Sequence, residues 1–321
     1  MICVSLIWGV VSLVKVYTPR RLREKNRWLR SDGKPNFKDR LYSKEPELSP
    51  LVRRDVPPIN TLTSVLRTCE IMSSYNTRLT AVTSGKGNII GVVTAMDIVD
   101  YLGGGSKHGL IGASGFETIH EVLNLSIGKI MNENPIYVGI DTPLYKVLEL
   151  MINYGLGAIP VTKEDDSYAG VLTELEIMKY LSVKYVGVPV HKVMTREVLS
   201  VNSSMSLEEA MWMMVSLGVR RLPVIDGNQI KGMLTWKDVV DLIGTHKIYE
   251  MLKYGLLREF KSLRVSDVMS TSVDVVSPHA DLGEVASMIS RTTTSSLLVV
   301  ENGVVIGIIT ERDVIYGLVT S

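Results

Sequence analysis

The sequence predicts a mixed α/β (α+β) fold built from four copies of one unit, each in the order strand, helix, strand, strand, helix. One short phrase occurs four times: an apolar strand ending in Gly, two apolar residues, a Thr, two more residues and a carboxylate. A helical rhythm and a hairpin pattern precede the phrase. The 321 residues, 45% apolar and 21% charged, suffice for about two ordinary globular domains.

The repeated phrase sets the alignment of the four copies. It occupies Gly91 to Asp97, Gly170 to Glu176, Gly232 to Asp238 and Gly307 to Asp313. A fixed spacing used four times indicates an internal repeat. Three copies also open on an apolar residue, two others, Val or Ile, and then Met, at Met131, Met194 and Met269. The first copy has Val56-Pro57-Pro58 in that place, so we expect a less regular edge there.

The third copy shows the elements of one unit most plainly. Ser206 to Glu209 is a capping box ahead of an amphipathic helix, and Gly218 ends that helix. Asp226-Gly227-Asn228 is a hairpin turn signal. The predicted elements are strand Val198 to Val201, helix 206 to 218, strands Arg221 to Ile225 and Ile230 to Leu234, and a second helix from Thr235 to about Ile243.

The spacing of the copies predicts how they pair, since a unit of about 55 residues buries too little surface to be stable alone. The intervals between successive Gly residues of the phrase are 79, 62 and 75, so extra sequence lies between copies one and two and between copies three and four. Glu121 and Glu259 each stand ten residues before the next Met, so the inserts look related. We expect an N-terminal segment 1–50, a first module 51–182 (copies about 55–104 and 127–181) and a second module 183–321 (copies about 190–244 and 265–321).

These repeats resemble cystathionine β-synthase (CBS) domains, and their pairs resemble the two-repeat units called Bateman modules. The resemblance covers about residues 55 to 321. Four repeats in one chain is similar to the γ regulatory subunit of AMP-activated kinase. The resemblance implies that paired repeats pack through their sheets about a pseudo-twofold axis. It also implies two equivalent clefts in each pair, commonly occupied by adenine nucleotides.

The Thr and the carboxylate of the phrase have two interpretations. Thr-x-x-Asp or Thr-x-x-Glu at the start of a helix is a capping box that needs no ligand. Three of the four copies nevertheless use Asp, although Glu is the better reciprocal cap. A short carboxylate one turn into a helix can accept both hydroxyls of a ribose, and the Thr hydroxyl and the helix N-terminal amides favour phosphate. We therefore expect the phrase to bind nucleotide.

The resemblance carries the family's ligand contacts onto specific positions. The ribose-binding carboxylates and the hydroxyls near phosphate fall on Asp97, Asp238 and Asp313 and on Thr94, Thr235 and Thr310. Thr173 and Glu176 are the departure, because the extra methylene of Glu suits a capping box and can displace the ribose contact, so this site ranks last. Adenine is expected beside the first strand of a unit, near Val138, Val201 and Val276, where any buried valine would give the same pattern.

The basic residues that face phosphate in the family fall on the middle strand of two copies. They are Arg78 in copy one and Arg220 and Arg221 in copy three, whereas copies two and four offer Gly157-Ala158 and Ser295-Ser296. Arg221 with Asp238 is the strongest candidate, against the alternative of a solvated arginine at a strand end. The expected ligand is AMP, ADP or ATP, with NAD or S-adenosylmethionine as alternatives, and no cofactor is required.

Motifs for catalysis and metal binding are absent from the sequence. The five histidines are scattered without H-E-x-x-H spacing or Cys partners, so no metal site is expected. Gly103 to Lys107 is rich in Gly but lacks the Gly-Lys-Ser/Thr of a phosphate loop, and we interpret it as a flexible linker. The four repeats leave no room for a catalytic domain. With only Cys3 and Cys69, the chain suits a reducing compartment, and we expect a cytoplasmic protein that is not an enzyme.

The N-terminal segment is strongly basic. Arg20 to Arg40 holds nine Lys or Arg against three acidic residues, with Trp28 and Phe37 interleaved, and residues 20–40 could bind nucleic acid by phosphate contact and stacking or be a solvated tail. Ile2 to Val14 is apolar, but its 13 residues are too few to cross a bilayer as a helix. Three interpretations stay open for it: a strand docked on the body, a membrane-surface anchor, or residues upstream of the true start codon.

Together these patterns predict a non-enzymatic regulatory protein that binds adenosine nucleotides and passes occupancy to a partner. The partner is a second copy in a dimer or an unidentified regulated protein, and a membrane role is not expected. The alternative is a nucleic-acid-associated protein that uses the basic arm and keeps the repeats as a scaffold. A third interpretation is a dimerisation scaffold with empty clefts.

Overall fold

Four copies of a helix, strand, strand, helix unit form the body of the structure, a computed structural model that describes residues 27–32, 34–38, 47–292 and 294–320. A short strand precedes the unit in repeats two and four, and a single bridge takes its place in repeats one and three. The strands are β1 Leu79–Thr83, β2 Ile89–Thr94, β3 Val138–Gly139, β4 Ala158–Thr162, β5 Tyr168–Thr173, β6 Arg221–Asp226, β7 Gln229–Thr235, β8 Val275–Val276, β9 Ser296–Glu301 and β10 Val304–Thr310. The helices are α1 Val65–Ser74, α2 Ala95–Leu102, α3 Gly109–Ser114, α4 Ile119–Leu123, α5 Leu144–Asn153, α6 Glu174–Leu181, α7 Leu207–Leu217, α8 Trp236–Gly244, α9 Lys247–Met251, α10 Leu257–Ser262, α11 Val265–Val268, α12 Leu282–Ile289 and α13 Glu311–Thr320. The predicted fold class is confirmed.

The third repeat shows how local sequence sets these elements. Ser206 and Glu209 form the predicted capping box of α7, and Gly218 ends that helix with φ 63°. β6 and β7 are antiparallel around a turn in which Gly227 has φ 60°. The predicted first strand is shorter than expected, because Val201 alone bridges the neighbouring strand β6. In repeats two and four the same position forms the two-residue strands β3 and β8, each parallel to the middle strand.

Repeats one and two contact each other through their sheets, and repeats three and four are joined by bridges of the same kind. The segment that precedes each repeat crosses to the hairpin of the other repeat and bridges its second strand. The bridged pairs are Val92 with Asn132, Val171 with Arg53, Met233 with Ser270 and Ile308 with Thr195. Backbone hydrogen bonds join each pair in both directions, so every repeat completes its neighbour's sheet.

The segment that crosses carries the Met of the repeated pattern, and the strand that it meets in the paired repeat carries the Gly. A Cβ on Gly91 would lie 2.8 Å from Met131 Sδ, and one on Gly307 would lie 2.7 Å from Met194 Sδ. Gly leaves a hollow on one repeat that the Met of its neighbour fills, as Met269 does at Gly232. The Met and the Gly of the repeated pattern are thus the two sides of one recurring contact, which each makes with the paired repeat.

Helices join the two pairs to each other within one chain. In repeats one and three, α1 packs on α8 and α2 on α7, and Ile98, Met211 and Val240 belong to one shared core. In repeats two and four, α6 packs on α13, and Ile177 and Leu318 belong to a second shared core. The four repeats therefore close a ring in the order one, two, four, three.

The described part of the N-terminal arm lies on α13. Trp28 and Phe37 are only 3% and 4% exposed, and the Trp28 ring meets Tyr316 edge to face with centroids 5.0 Å apart. In this arrangement neither aromatic ring is open for stacking on a base. Ile2 to Val14 and five of the nine basic residues between 20 and 40 lie outside the described residues, so the interpretations that rest on them stay predictions. Among the helices described, none has the length and apolarity that crossing a bilayer requires.

Candidate functional site

A cleft of about 580 Å³ lies between repeats one and two, and we call it the Asp97 cleft. One wall is the β2–α2 junction with Thr94 and Asp97; the other is the loop before β3, with Ile136, and the start of β4. Leu79, Val92, Ala158 and Pro160 give it apolar surface, and Arg78 and Arg220 give it positive charge. The volume falls within the range of about 300 to 1,000 Å³ that is typical of small-molecule pockets.

The carboxylate of Asp97 is held at one oxygen and faces outward with the other. Oδ2 accepts hydrogen bonds from the Thr94 amide at 2.7 Å and the Thr94 hydroxyl at 2.6 Å, and the Asp97 amide donates back to Thr94 Oγ1 at 3.3 Å. This is the reciprocal capping box. The cap and the ligand interpretations are thus compatible, because the box uses one oxygen and leaves Oδ1 to bind.

Lys107 reaches the outward oxygen of Asp97, which sequence analysis did not anticipate. Its Nζ contacts Asp97 Oδ1 and also donates to Ile130 O at 2.5 Å. The Gly-rich stretch before it is an ordered turn, because Asp100 accepts hydrogen bonds from the Lys107 amide at 2.6 Å and the Ser106 hydroxyl at 3.0 Å. The expectation of a flexible linker is therefore wrong for Ser106 and Lys107, and the Asp100 carboxylate is the reason.

The equivalent cleft of the second pair, the Asp313 cleft, lies between repeats three and four. Thr310 caps Asp313 Oδ2 through its amide at 2.9 Å and its hydroxyl at 2.7 Å, as Thr94 caps Asp97. Its other lining residues include Thr195, Leu199, Arg220, Arg221 and Arg312. Its volume is about 110 Å³, and Oδ1 of Asp313 accepts a hydrogen bond from Arg27 Nη2 at 2.7 Å.

The carboxylates of the two remaining copies of the phrase, Asp238 and Glu176, line neither the Asp97 cleft nor the Asp313 cleft. Thr235 caps Asp238 through its amide and its hydroxyl, each at 2.6 Å, and burial raises the pKa of Asp238 to about 6 although these hydrogen bonds oppose the shift. Glu176 accepts the Thr173 hydroxyl, but Thr173 Oγ1 accepts from Leu175 rather than from Glu176, so no reciprocal box forms. The expectation that Glu176 suits a capping box better than the aspartates is wrong, because its longer side chain turns to the hydroxyl and away from the backbone.

Six charged residues meet where the four repeats converge, and we call them the central cluster. They are Arg78, Arg220, Arg221, Arg312, Glu174 and Glu311. Glu174 lies 2.7 Å from Arg220 and 2.6 Å from Arg312. Burial alone would raise the pKa of Glu174, but Arg312, Arg220 and Arg78 outweigh it and hold that pKa well below its usual range.

Arg221, the strongest arginine candidate from the sequence, lies on the other side of this cluster. Its Nε donates to Thr294 O at 2.8 Å and its Nη2 lies 3.9 Å from Glu311, which in turn contacts Arg78 at 2.6 Å. Burial lowers the pKa of Arg221 to about 10, against the attraction of Glu311. Arg221 lines the Asp313 cleft, while Arg220 lines both clefts.

The central cluster carries an excess of positive charge, since four arginines face two glutamates. Buried charge of one sign in a cleft attracts counter-ions of the opposite sign. Arg78 and Arg220 bring this excess to the Asp97 cleft, beside the N-terminus of α2. The arrangement can therefore bind an anion at the end of the cleft nearest the centre of the ring.

A charge pattern in the sequence, which the sequence analysis did not use, also indicates the central cluster. Repeats one and three have Arg at the start of the middle strand and Ala95 or Trp236 after the Thr of the phrase. Repeats two and four have Gly157 or Ser295 on the strand and Glu174 or Glu311 after the Thr. This alternation of opposite charges between odd and even repeats predicts contacts between them.

The valines expected beside adenine lie in the hydrophobic cores. Val138 and Val276 belong to the core shared by repeats two and four, and Val201 belongs to the core of repeats one and three. Ile136 and Leu199, each two positions earlier in the chain, line the two clefts instead. No group of three or more His, Cys, Asp or Glu with metal-binding geometry occurs in the described part of the chain.

Comparison with known proteins agrees with this architecture. The CBS domain family matches residues 48–104, 127–183, 190–245 and 265–320. Protein MJ1225 of Methanocaldococcus jannaschii is 28% identical over 240 residues, which cover 74% of this chain and 86% of the relative. A 33.4 kDa protein encoded in a ribosomal RNA operon of Thermofilum pendens is 29% identical over 262 residues, covering 81% and 87%.

Two solved structures have a fold similar to that of this chain. The crystal structure of MJ1225, described as a proposed archaeal homologue of γ-AMPK, superposes with a TM-score of 0.77 at 24% identity and covers 84% of this chain and 98% of that protein. A protein from Pyrococcus horikoshii superposes with a TM-score of 0.54 at 20% identity, covering 85% and 99%. Because the four family matches together span more than half of the sequence, the chain belongs to the CBS domain family and carries four copies of the domain.

Proposed function

We propose that this chain is a non-enzymatic regulatory protein that binds an adenosine nucleotide, AMP, ADP or ATP, in the Asp97 cleft and passes its occupancy to a partner. The observation that carries the proposal is one capped carboxylate in a cleft of about 580 Å³ with two arginines near its inner end. Family membership supports it, because CBS pairs commonly hold adenine nucleotides between their repeats.

The ribose end of the ligand is assigned to Asp97. Its Oδ1 can accept hydroxyl hydrogen bonds, provided that the ribose takes the place of Lys107 Nζ. Hydrogen bonds to a charged acceptor contribute about 1.5 to 3 kcal/mol each, so one carboxylate can dominate recognition of the sugar. Adenine would lie on the apolar surface formed by Ile136, Ala158 and Pro160, where backbone groups are also available.

The phosphate end is assigned to the centre of the ring. Arg78 and Arg220 line that part of the cleft, and the N-terminal amides of α2 add positive potential. Both arginines already contact Glu174 at 3.3 and 2.7 Å, so they are held in place before a ligand enters. A nucleotide is favoured over a free nucleoside because the cluster carries more positive than negative charge.

Signalling follows from the position of the cleft between repeats. Asp97 belongs to repeat one, Pro160 to repeat two and Arg220 to repeat three, so one ligand contacts three repeats and favours one arrangement of them. A partner that distinguishes that arrangement responds to the nucleotide, and by linkage it changes the affinity for the nucleotide by the same factor.

Calorimetry with AMP, ADP, ATP, NAD and S-adenosylmethionine tests the proposal. We expect at least one adenosine nucleotide to bind and NAD and S-adenosylmethionine to bind more weakly. If none of the five binds at millimolar concentration, the chain is not a nucleotide sensor. If S-adenosylmethionine binds best, the cleft is a nucleoside site in which the arginines do not select for phosphate.

A further inference from the structure

The N-terminal arm inserts a side chain into the Asp313 cleft. Arg27 Nη2 donates to Asp313 Oδ1 at 2.7 Å, and Nη1 donates to Val193 O at 3.3 Å. Oδ1 is the oxygen that corresponds to the outward oxygen of Asp97, and the Asp313 side chain is only 4% exposed. The guanidinium therefore takes both the position and the charge that a ribose would need.

Aromatic and backbone contacts hold Arg27 in that place. Its Cζ lies 4.5 Å from the centre of the Tyr316 ring, and Trp28 packs on the same ring. The arm then folds back on itself, because the Asn36 amide donates to Trp28 O at 2.7 Å, and the Lys38 amide ties it to Val319 O at 2.8 Å. The docking surface is α13, the helix that begins at the phrase of repeat four.

The basic residue at the Asp97 cleft is held differently. Lys107 also contacts the outward carboxylate oxygen, but through a compact ammonium group that also donates to Ile130 O, and the cleft around it keeps about 580 Å³. At Asp313 the guanidinium is fixed by an aromatic ring and the cleft keeps about 110 Å³. The Arg27 contact is also imperfect, because its buried Nε has no hydrogen-bond partner among the described residues. A contact with an unpaired buried donor is one that can open.

We propose that residues 27–32 and 34–38 are a built-in plug, in which Arg27 closes the Asp313 cleft and makes it a latent nucleotide site. This inference rests on the proposed function and adds a second site with its own control. Nucleotide enters the Asp313 cleft only in molecules whose arm has left α13, so the apparent affinity falls in proportion to the undocked fraction. Whatever draws the arm away from α13 opens the second site without touching the first.

Calorimetric titration of the full chain with AMP tests the plug. In the Arg27→Ala variant we expect either a binding event that the wild type lacks or a second event strengthened about tenfold or more, as follows if the arm is docked in at least nine molecules of ten. The matched control is Arg30→Ala, which removes an exposed arginine of the same arm whose Nε donates to Pro35 O at 3.3 Å, within the arm itself. It should titrate like the wild type.

A double variant assigns the gain to its cleft. Arg27→Ala combined with Asp313→Asn should lose the additional event and keep the one at Asp97. If Arg27→Ala titrates like the wild type while the Asp97 cleft binds, or if the gain survives Asp313→Asn, the plug is disproved and the proposed function stands. If AMP, ADP and ATP bind to neither the wild type nor Arg27→Ala, the proposed function itself fails, and the plug with it.

Discussion

The Asp97 cleft and the Asp313 cleft are equivalent in sequence, topology and capping geometry, yet they differ about fivefold in volume. In both, Thr donates from its amide and its hydroxyl to one carboxylate oxygen, within 2.6 to 2.9 Å. At each cleft a basic residue from outside the repeats reaches the outward carboxylate oxygen: Lys107 on a turn at one cleft and Arg27 on the arm at the other. Repetition thus fixes how the carboxylate is capped, while the sequence between and before the repeats supplies the cation that meets its outward oxygen.

The largest effect is expected at Glu174 in the central cluster, which contacts Arg220, a residue that lines both clefts. Glu174→Gln leaves Arg78, Arg220 and Arg312 without their shared carboxylate, and breaking a buried ion pair costs about 3 to 5 kcal/mol. Urea unfolding should record a loss of that size in the free energy of unfolding. The control Glu176→Gln removes a carboxylate that acts on Arg78 more weakly than Glu174 and Glu311 do, and it should lose about 1 kcal/mol or less. Similar losses in both variants would mean that the central cluster does not hold the ring together.

The next effect concerns binding at the open cleft. Asp97→Asn removes the charge from the ribose acceptor, which costs about 1.5 to 3 kcal/mol and weakens AMP binding roughly tenfold to hundredfold. Calorimetry measures it, with Asp267→Asn as the control, because Asp267 caps α11 away from both clefts. If Asp313→Asn by itself weakened AMP binding as much as Asp97→Asn does, the two clefts would not differ in how readily they bind nucleotide.

A smaller effect, on stability as a function of pH, is expected at Asp238, the carboxylate of the phrase in repeat three. Burial raises the pKa of Asp238 to about 6 in the folded chain, whereas an unfolded Asp titrates near 3.9. Between these values the folded state keeps a proton that the unfolded state has released, so stability falls as pH rises through that window. Asp238→Asn removes this term, and its stability relative to the wild type should increase by about 1 kcal/mol from pH 5 to pH 7.5. Thermal unfolding of both proteins at the two pH values measures this change. If the stability difference between Asp238→Asn and the wild type is the same at both, the pKa of Asp238 is not raised.

The smallest effect should be the same in both clefts. Thr94→Val and Thr310→Val each remove a capping hydroxyl, at a cost of about 1 kcal/mol. Chemical unfolding of the two variants compares them directly. If only one variant is destabilised, the clefts differ in their repeats and not only in the segments that cover them.

The repeat made much of this fold readable from the sequence. The phrase fixed four units and the Met supported three of them, the capping boxes at Asp97 and Asp238 followed from local spacing, and the turn of the third hairpin followed from Asp226-Gly227-Asn228. The central cluster was readable in principle, since Glu174 and Glu311 alternate with arginines of the other repeats.

The contacts of Lys107 and Arg27 were not readable, because they depend on where a turn and an arm run after the repeats have assembled. Arg27 lies 286 residues from Asp313 in the chain, and no periodic pattern links them. Neither residue belongs to a repeat, so the alignment of copies gave no position for it. The division into modules 51–182 and 183–321 and the role of residues 20–40 in nucleic-acid binding stay predictions.

The two helical cores have a consequence for how the chain unfolds. Each core draws residues from both halves of the sequence, so neither half can open without exposing the apolar faces of α1, α2 and α6 or their partners. The halves look like independent duplicates in sequence but should melt in a single cooperative transition. A fragment with one pair of repeats would have to associate with another copy to cover those faces, and its folding would then depend on its concentration.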